Sequence, residues 1–197
     1  MMRYLGFARE MWGSEINEAV VARLAPQPGE TVMDVGAGAG AGTMVAVKFG
    51  AHVVAVEPTS YMRWVLWFRR HLQRVQDRVT IVGGSAESTG VKGDSIDAAW
   101  AVNTMHHWTN LEAGIAELAR VLASGGRALL VDEDFDDPNH PEYEKFGSKR
   151  AEKHSHHFDS IDPGIVANEL RRVGLTVRFA GADEIVGRPA IVIEAHA

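Results

Sequence analysis

The chain has 197 residues, 46% of them apolar and 23% charged, with a net charge of −6 and no cysteine. That length fits one domain with a core that needs no staples, and the missing cysteines exclude disulfides, thiolate metal sites and a cysteine nucleophile. The acidic balance weighs against nucleic acid, whose binding rests on Lys and Arg contacts to phosphate.

No apolar run is long enough to span a bilayer, and the start Met1-Met2-Arg3-Tyr4-Leu5-Gly6 lacks the apolar core of a signal peptide. A cytoplasmic protein without a membrane or nucleic-acid partner is expected. Ile16, Val20, Val21 and Leu24 recur at helical spacing within 14–25, and Pro26 and Pro28-Gly29 end that helix. Thr31 to Val35 reads as a buried strand, followed by a glycine loop and a helix through Val45, Val47 and Phe49 that stops at Gly50. His52 to Glu57 is a second strand, and a helix capped by Thr59 or Ser60 runs to about Val75. Arg63, Arg69, Arg70, Arg74 and Arg78 cluster around that helix and read as its solvated face, with apolar residues turned inward.

Val79 to Val82 and Ile96 to Val102 make strands three and four, Leu111 to Leu122 an amphipathic helix, and Arg127 to Val131 a fifth strand after Gly125-Gly126. Residues 132–160 are acidic and then histidine-rich, without a clean period, and read as a lid on the substrate side. A helix from Pro163 to Val173 carries Pro at its first turn and Gly174 beyond its end. Thr176 to Phe179 and Ile191 to Glu194 have no helix between them and form an antiparallel edge. The alternation from 31 to 131 predicts an α/β parallel sheet covered on both faces, a Rossmann-like three-layer sandwich in one domain spanning 1–197.

Glycine takes every second position from Gly36 to Gly42, so the loop after strand one leaves bare backbone where a helix begins. Gly36-x-Gly38-x-x-Ala41 fits the dinucleotide fingerprint, and Glu57 ends strand two where an acid takes ribose hydroxyls. By itself the pattern allows any adenosine-bearing ligand.

Val32-Met33-Asp34-Val35-Gly36-Ala37-Gly38-Ala39-Gly40 and then Val54-Ala55-Val56-Glu57-Pro58 resemble the first two motifs of class I S-adenosylmethionine-dependent methyltransferases. Gly83 to Glu87, Asp94 to Trp100, Met105-His106-His107-Trp108 and Arg120 to Val131 are similar to the later motifs of the family's small-molecule branch. The resemblance implies a seven-stranded sheet of order 3-2-1-4-5-7-6 with strand seven antiparallel. It also implies S-adenosylmethionine as cofactor. Gly36, Gly38 and Gly40 then pack against it, Asp34 stands by its amino-acid end and Glu57 binds the ribose diol. Ser85 occupies the position where relatives often carry an adenine-contacting Asp, Ala86 offers its backbone amide, and Asn103 at the end of strand four completes the set. Glu87 is either an adenine-side group or a cap.

Methyl transfer to a hydroxyl needs alignment, exclusion of water and a base. His106 leaves the carboxyl end of strand four, in the crevice where open α/β sheets bind ligands, and matches the general-base histidine of plant-type O-methyltransferases. His107 reads as structural, and Trp108 as packing against the next helix or the pocket wall. Asn103-Thr104-Met105-His106 departs from the Asn-Pro-Pro-Tyr of the branch that methylates nucleobases or glutamine. The run Asp132, Glu133, Asp134, Asp136, Asp137, His140, His154, His156 and His157 picks no metal; it reads as a solvated loop, with His157 and Phe158 facing the substrate. Residues 1–30, with Tyr4, Phe7, Met11 and Trp12, form an N-terminal helical cover, and a monomer and a homodimer both remain open.

The expectation is methyl transfer from S-adenosylmethionine to a small organic acceptor, at oxygen. The alternatives are an NAD(P)-dependent oxidoreductase, for which no Tyr-x-x-x-Lys pair is present, and a non-catalytic relative that only binds S-adenosylmethionine.

Overall fold

A computed structural model describes residues 13–146 and 161–197. The calls on Tyr4, Phe7, Met11, Trp12, His154, His156, His157 and Phe158 lie outside the described residues. In chain order the elements are α1 (Glu15–Leu24), β1 (Thr31–Val35), α2 (Ala41–Lys48), β2 (His52–Val56), α3 (Ser60–Leu72), β3 (Val79–Val82) and β4 (Ile96–Val102). A 3₁₀ turn (Met105–His107), α4 (Leu111–Val121), β5 (Leu122–Glu133), α5 (Tyr143–Phe146), α6 (Pro163–Arg172), β6 (Thr176–Ile185) and β7 (Arg188–His196) follow.

The strands form one sheet of order β3-β2-β1-β4-β5-β7-β6. All are parallel except β7, which runs antiparallel to both β5 and β6. Ile16, Val20, Met44, Ala46 and Leu66 from α1, α2 and α3 pack one face around the fully buried Trp100. Ile115, Leu118, Val166 and Leu170 from α4 and α6 pack the other. Helix starts follow side-chain chemistry: Ser14, Asn110 and Asp162 each accept from a backbone N–H of the first turn. Arg127 caps the far end of α1, donating to the Leu24 and Ala25 carbonyls while it pairs with Glu30.

Three differences from the sequence reading matter. β5 begins at Leu122, where an irregular pairing with Ile96 precedes the regular register from Ala98↔Arg127, and it continues through Asp132 and Glu133. The supposed lid therefore starts inside the sheet: Asp132 is buried, and so is His140 beyond it. β6 and β7 form a long hairpin joined by Val186 and Gly187, both at positive φ (49° and 73°), the geometry of a two-residue turn whose twist suits paired strands.

The third difference is α3, whose arginine side is not its solvated side. Arg69 is buried and donates to the Ala39 carbonyl, Arg63 to the Glu57 and Pro58 carbonyls, Arg70 to Val79 and Arg78 to Gly50, while Arg74, past the end of the helix, is exposed as the sequence suggests. Tyr61, Trp64, Trp67, Phe68 and Leu72 face outward instead.

Candidate functional site

The glycine loop is pinned to the end of β2. Gly36 and Ala37 N–H both donate to the Val56 carbonyl, at 2.9 and 3.0 Å. The Glu57 carboxylate takes the Gly38 N–H on one oxygen (2.9 Å) and the Thr59 N–H on the other (2.8 Å). Glu57 is buried by these contacts, yet a carboxylate has about four acceptor sites and keeps acceptor capacity on both oxygens.

Gly36, Gly38 and Gly40 all have positive φ (73°, 52° and 81°), which only glycine adopts without cost. Their surroundings differ. A Cβ on Gly36 would lie 2.5 Å from Thr104 Cγ2, and one on Gly40 would collide with Leu66 Cδ1, whereas one on Gly38 would meet nothing within 4 Å. Gly36 and Gly40 are bare because protein packs on them; Gly38 is bare toward open space.

Asp34, on β1, is buried and accepts from Thr43 Oγ1 at 2.6 Å. Burial pushes its carboxyl up to about 7 against the opposing pull of the Thr43 hydrogen bonds, and the Glu57 charge adds to the rise. Between pH 4 and 7 the folded chain therefore holds a proton that the unfolded chain has released, and this group's contribution to stability falls as pH rises through that window. Asp34→Asn should remove the slope and raise stability at pH 8 by up to about 4 kcal/mol. Urea denaturation at pH 5 and pH 8 measures it; an unchanged difference between the two pH values would contradict the burial argument.

Beside this loop, β4 delivers the second half of the site. The backbone turns sharply at Asn103, with φ 54°, and its side chain pairs with the neighbouring strand: Nδ2 donates to Glu133 Oε2 (2.6 Å) and Oδ1 accepts the Glu133 N–H (2.8 Å). Asn103 thus shapes the end of β4, its amide engaged on β5. Glu133 also accepts from Arg188 (2.6 Å) and from His140 Nε2 (3.1 Å). His140 Nδ1 accepts the Glu142 N–H, which fixes the proton of the neutral ring on Nε2.

His106 Nδ1 lies 3.2 Å from Asp132 Oδ1, and the His106 N–H donates to Asp132 Oδ2 at 3.2 Å. An ionised carboxylate only accepts, so Nδ1 of His106 carries the proton and Nε2 is the basic nitrogen. His107 Nε2 is 3.1 Å from that nitrogen, and its own pKa is lowered by burial first and then by the nearness of the His106 ring, which cannot share a second charge with it. Carboxylate, inner imidazole and outer imidazole form one chain, with His106 and Asp132 almost wholly covered. The register Val102↔Val131 aligns the ends of β4 and β5, so His106 meets an acid 26 residues away. In the sequence Asp132 is one member of an acidic run, and nothing local marks it as the partner of His106.

Ser85 and Ser88 close a tight turn by mutual backbone hydrogen bonds, and Ala86 is buried beneath them. Glu87 accepts from Thr109 N–H (2.7 Å), Thr109 Oγ1 (3.0 Å) and Asn110 N–H (3.2 Å). Burial would raise its pKa, but hydrogen bonds from Ser85, Thr109 and Asn110 outweigh this and hold it at about 2. Glu87 is thus a brace between two loops, and the Ser85 hydroxyl is turned to it. Trp108 packs over Gly114 of α4, where a Cβ would sit 2.5 Å from the ring. Among the described residues no group of three or more His, Asp or Glu is arranged to hold a metal, and no helix is long and apolar enough to cross a membrane.

Residues 33–130 match a family model described as a methyltransferase domain. The chain is similar to the methyltransferase GfsG of Streptomyces halstedii, 31% identical over 121 residues that cover 61% of this chain and 44% of that protein. It is likewise 31% identical over 114 residues to the demethylmenaquinone methyltransferase of Clavibacter sepedonicus, covering 58% and 45%. The chain thus spans less than half the length of these relatives. Among solved structures, a SAM-dependent methyltransferase from Aquifex aeolicus superposes with a TM-score of 0.72 at 18% identity, over 92% of this chain and 90% of that one. At that identity the likeness speaks for the fold. The glycine loop, the end of β2 and the His106 turn all fall within the matched segment.

Proposed function

We propose that this chain, which belongs to the class I S-adenosylmethionine-dependent methyltransferase family, transfers a methyl group from S-adenosylmethionine to a hydroxyl of a small organic acceptor. The observation that carries the oxygen assignment is the Asp132–His106 pair beside the glycine loop.

The residues fit the cofactor. Gly38 leaves a face of bare backbone that a Cβ would fill, Glu57 keeps acceptor capacity for a ribose diol, and an approaching ammonium group would favour the ionised form of the buried Asp34, whose carboxyl burial pushes up to about 7. Gly36 and Gly40 let Thr104 and Leu66 close on the loop from either side, Ala86 offers its amide, and Ser85 and Asn103 act through the turns that they shape. Bound there, S-adenosylmethionine would supply a methyl group activated by a sulfonium, the S–CH3 bond breaking as the O–CH3 bond forms and neutral S-adenosylhomocysteine leaving.

The protein's task is then to align and to deprotonate. Asp132 holds the His106 ring by Nδ1, so that Nε2 takes the hydroxyl proton as the acceptor oxygen attacks, and the carboxylate stabilises the imidazolium that results. His107, whose Nε2–H is the donor to that nitrogen, must yield its hydrogen bond at that moment.

Calorimetric titration with S-adenosylhomocysteine tests the first half of this reading. Binding is expected, and Glu57→Ala should weaken it by more than ~1 kcal/mol, roughly fivefold or more. No heat at millimolar ligand would refute the cofactor, and unchanged affinity in the variant would refute the role of Glu57. Mass spectrometry of phenol, acid and amine panels after incubation with the cofactor then reads the acceptor atom.

A further inference from the structure

We infer that the outer face of α3 is a self-association surface, where two copies of this chain pack helix against helix. Tyr61, Trp64, Trp67, Phe68 and Leu72 are 61%, 60%, 47%, 48% and 59% exposed. Five large apolar side chains on a single 13-residue helix, all turned to solvent, are unusual. At ~150–250 Å² per aromatic side chain they leave roughly 500 Å² of apolar surface open, near the upper end of what a monomer shows.

Their order is as informative as their number. Residues 61, 64, 68 and 72 follow the i, i+3, i+7, i+11 path of one helix seam, the pattern that receives a second helix. The rings already lie as a ridge: Tyr61 and Trp64 stack with centroids 6.3 Å apart and planes at 25°, Trp64 and Phe68 at 6.4 Å and 21°. No acid stands in the helix, and Arg63, Arg69 and Arg70 are drawn onto backbone carbonyls. The sequence thus spends its charges inward and leaves the seam uninterrupted.

A second copy suits this face best. Across a two-fold axis the ridge is self-complementary: antiparallel helices set Trp64 against Phe68 of the other copy and Tyr61 against its Leu72. Two such faces bury roughly 1,000 Å² before any flanking residue is counted, the size at which specific interfaces begin. An anionic bilayer is the poorer occupant, because the chain carries a net charge of −6. The inner face of the same helix holds the glycine loop through Leu66 and Arg69, so the contact would also stiffen the wall of the site.

Sedimentation equilibrium of the full chain between 1 and 200 μM tests this, at 0.1 and 1 M salt. The expected result is a dimer that salt does not weaken. Trp64→Glu and Leu72→Gln should each loosen it at least tenfold while the circular dichroism stays unchanged, and Phe179→Glu, at a ring 37% exposed on β6, should not. A monomer throughout overturns the inference, whether the face is covered by residues 1–12 or binds anionic vesicles. A dimer equally tight in both seam variants overturns it as well.

Discussion

Replacing His106 with alanine should lower methyl transfer to a hydroxyl acceptor by about 10²–10⁴-fold, the span of a positioned general base, and should leave S-adenosylhomocysteine affinity within about twofold. The split follows from geometry. His106 sits beyond the turn at Asn103 and is held by Asp132 on β5, while the proposed direct cofactor contacts come from β1, the ends of β1 and β2, and the turn after β3. Asp132→Asn leaves one acceptor where the carboxylate serves two donors and loses the charge that stabilises the imidazolium, so it should also lower turnover, by at least about tenfold. A purely structural role is separated by the acceptor itself. With a phenol acidic enough to be ionised at the assay pH no base is required, and the His106→Ala defect should shrink toward tenfold or less. A loss of tenfold or less on an un-ionised hydroxyl would refute the base. A defect that stays the same for both acceptors would assign His106 to positioning.

The layout of that experiment was half visible in the amino-acid order. Buried parallel strands are continuous apolar runs, and Thr31–Val35, Val79–Val82 and Ile96–Val102 end where the runs end. The glycine alternation and Glu57 likewise announce themselves, because the fingerprint is local. What stayed hidden depends on neighbours in space. β6 lies at the sheet edge with one flank paired, so Asp183 and Glu184 stand in a strand that no apolar pattern marks. Asp132 becomes the partner of His106 only through the β4–β5 register, and Glu133 and His140 leave the solvated loop for the same reason. On α3 both faces carry apolar residues, and charge alone suggested that the arginines look outward. The decisive groups were main-chain carbonyls at Ala39, Gly50, Glu57 and Val79, which a guanidinium on a long stem reaches and a sequence pattern does not display.

The glycine run offers the sharpest separation of packing from binding, because its members look alike in sequence and differ in surroundings. Gly40→Ala and Gly36→Ala should each lower stability by about 2–5 kcal/mol. A left-handed backbone costs an alanine ~1–2 kcal/mol, and forcing a methyl into Leu66 or Thr104 adds ~1–3 kcal/mol of overpacking. Gly42→Ala belongs with them through a different contact, since its Cβ would sit 2.7 Å from the Trp100 indole nitrogen inside the core. Gly38→Ala pays the backbone term only, because nothing stands within 4 Å of its Cβ. Its methyl instead enters the space beside the Glu57 carboxylate, so S-adenosylhomocysteine affinity should fall at least tenfold while stability falls by the backbone cost of ~1–2 kcal/mol alone. Thermal melts paired with calorimetry on the four variants read both axes. If Gly38→Ala binds as tightly as the parent, the cofactor does not lie against that residue. If Gly40→Ala melts with the parent, α3 yields at Leu66 and is a softer wall than its packing implies.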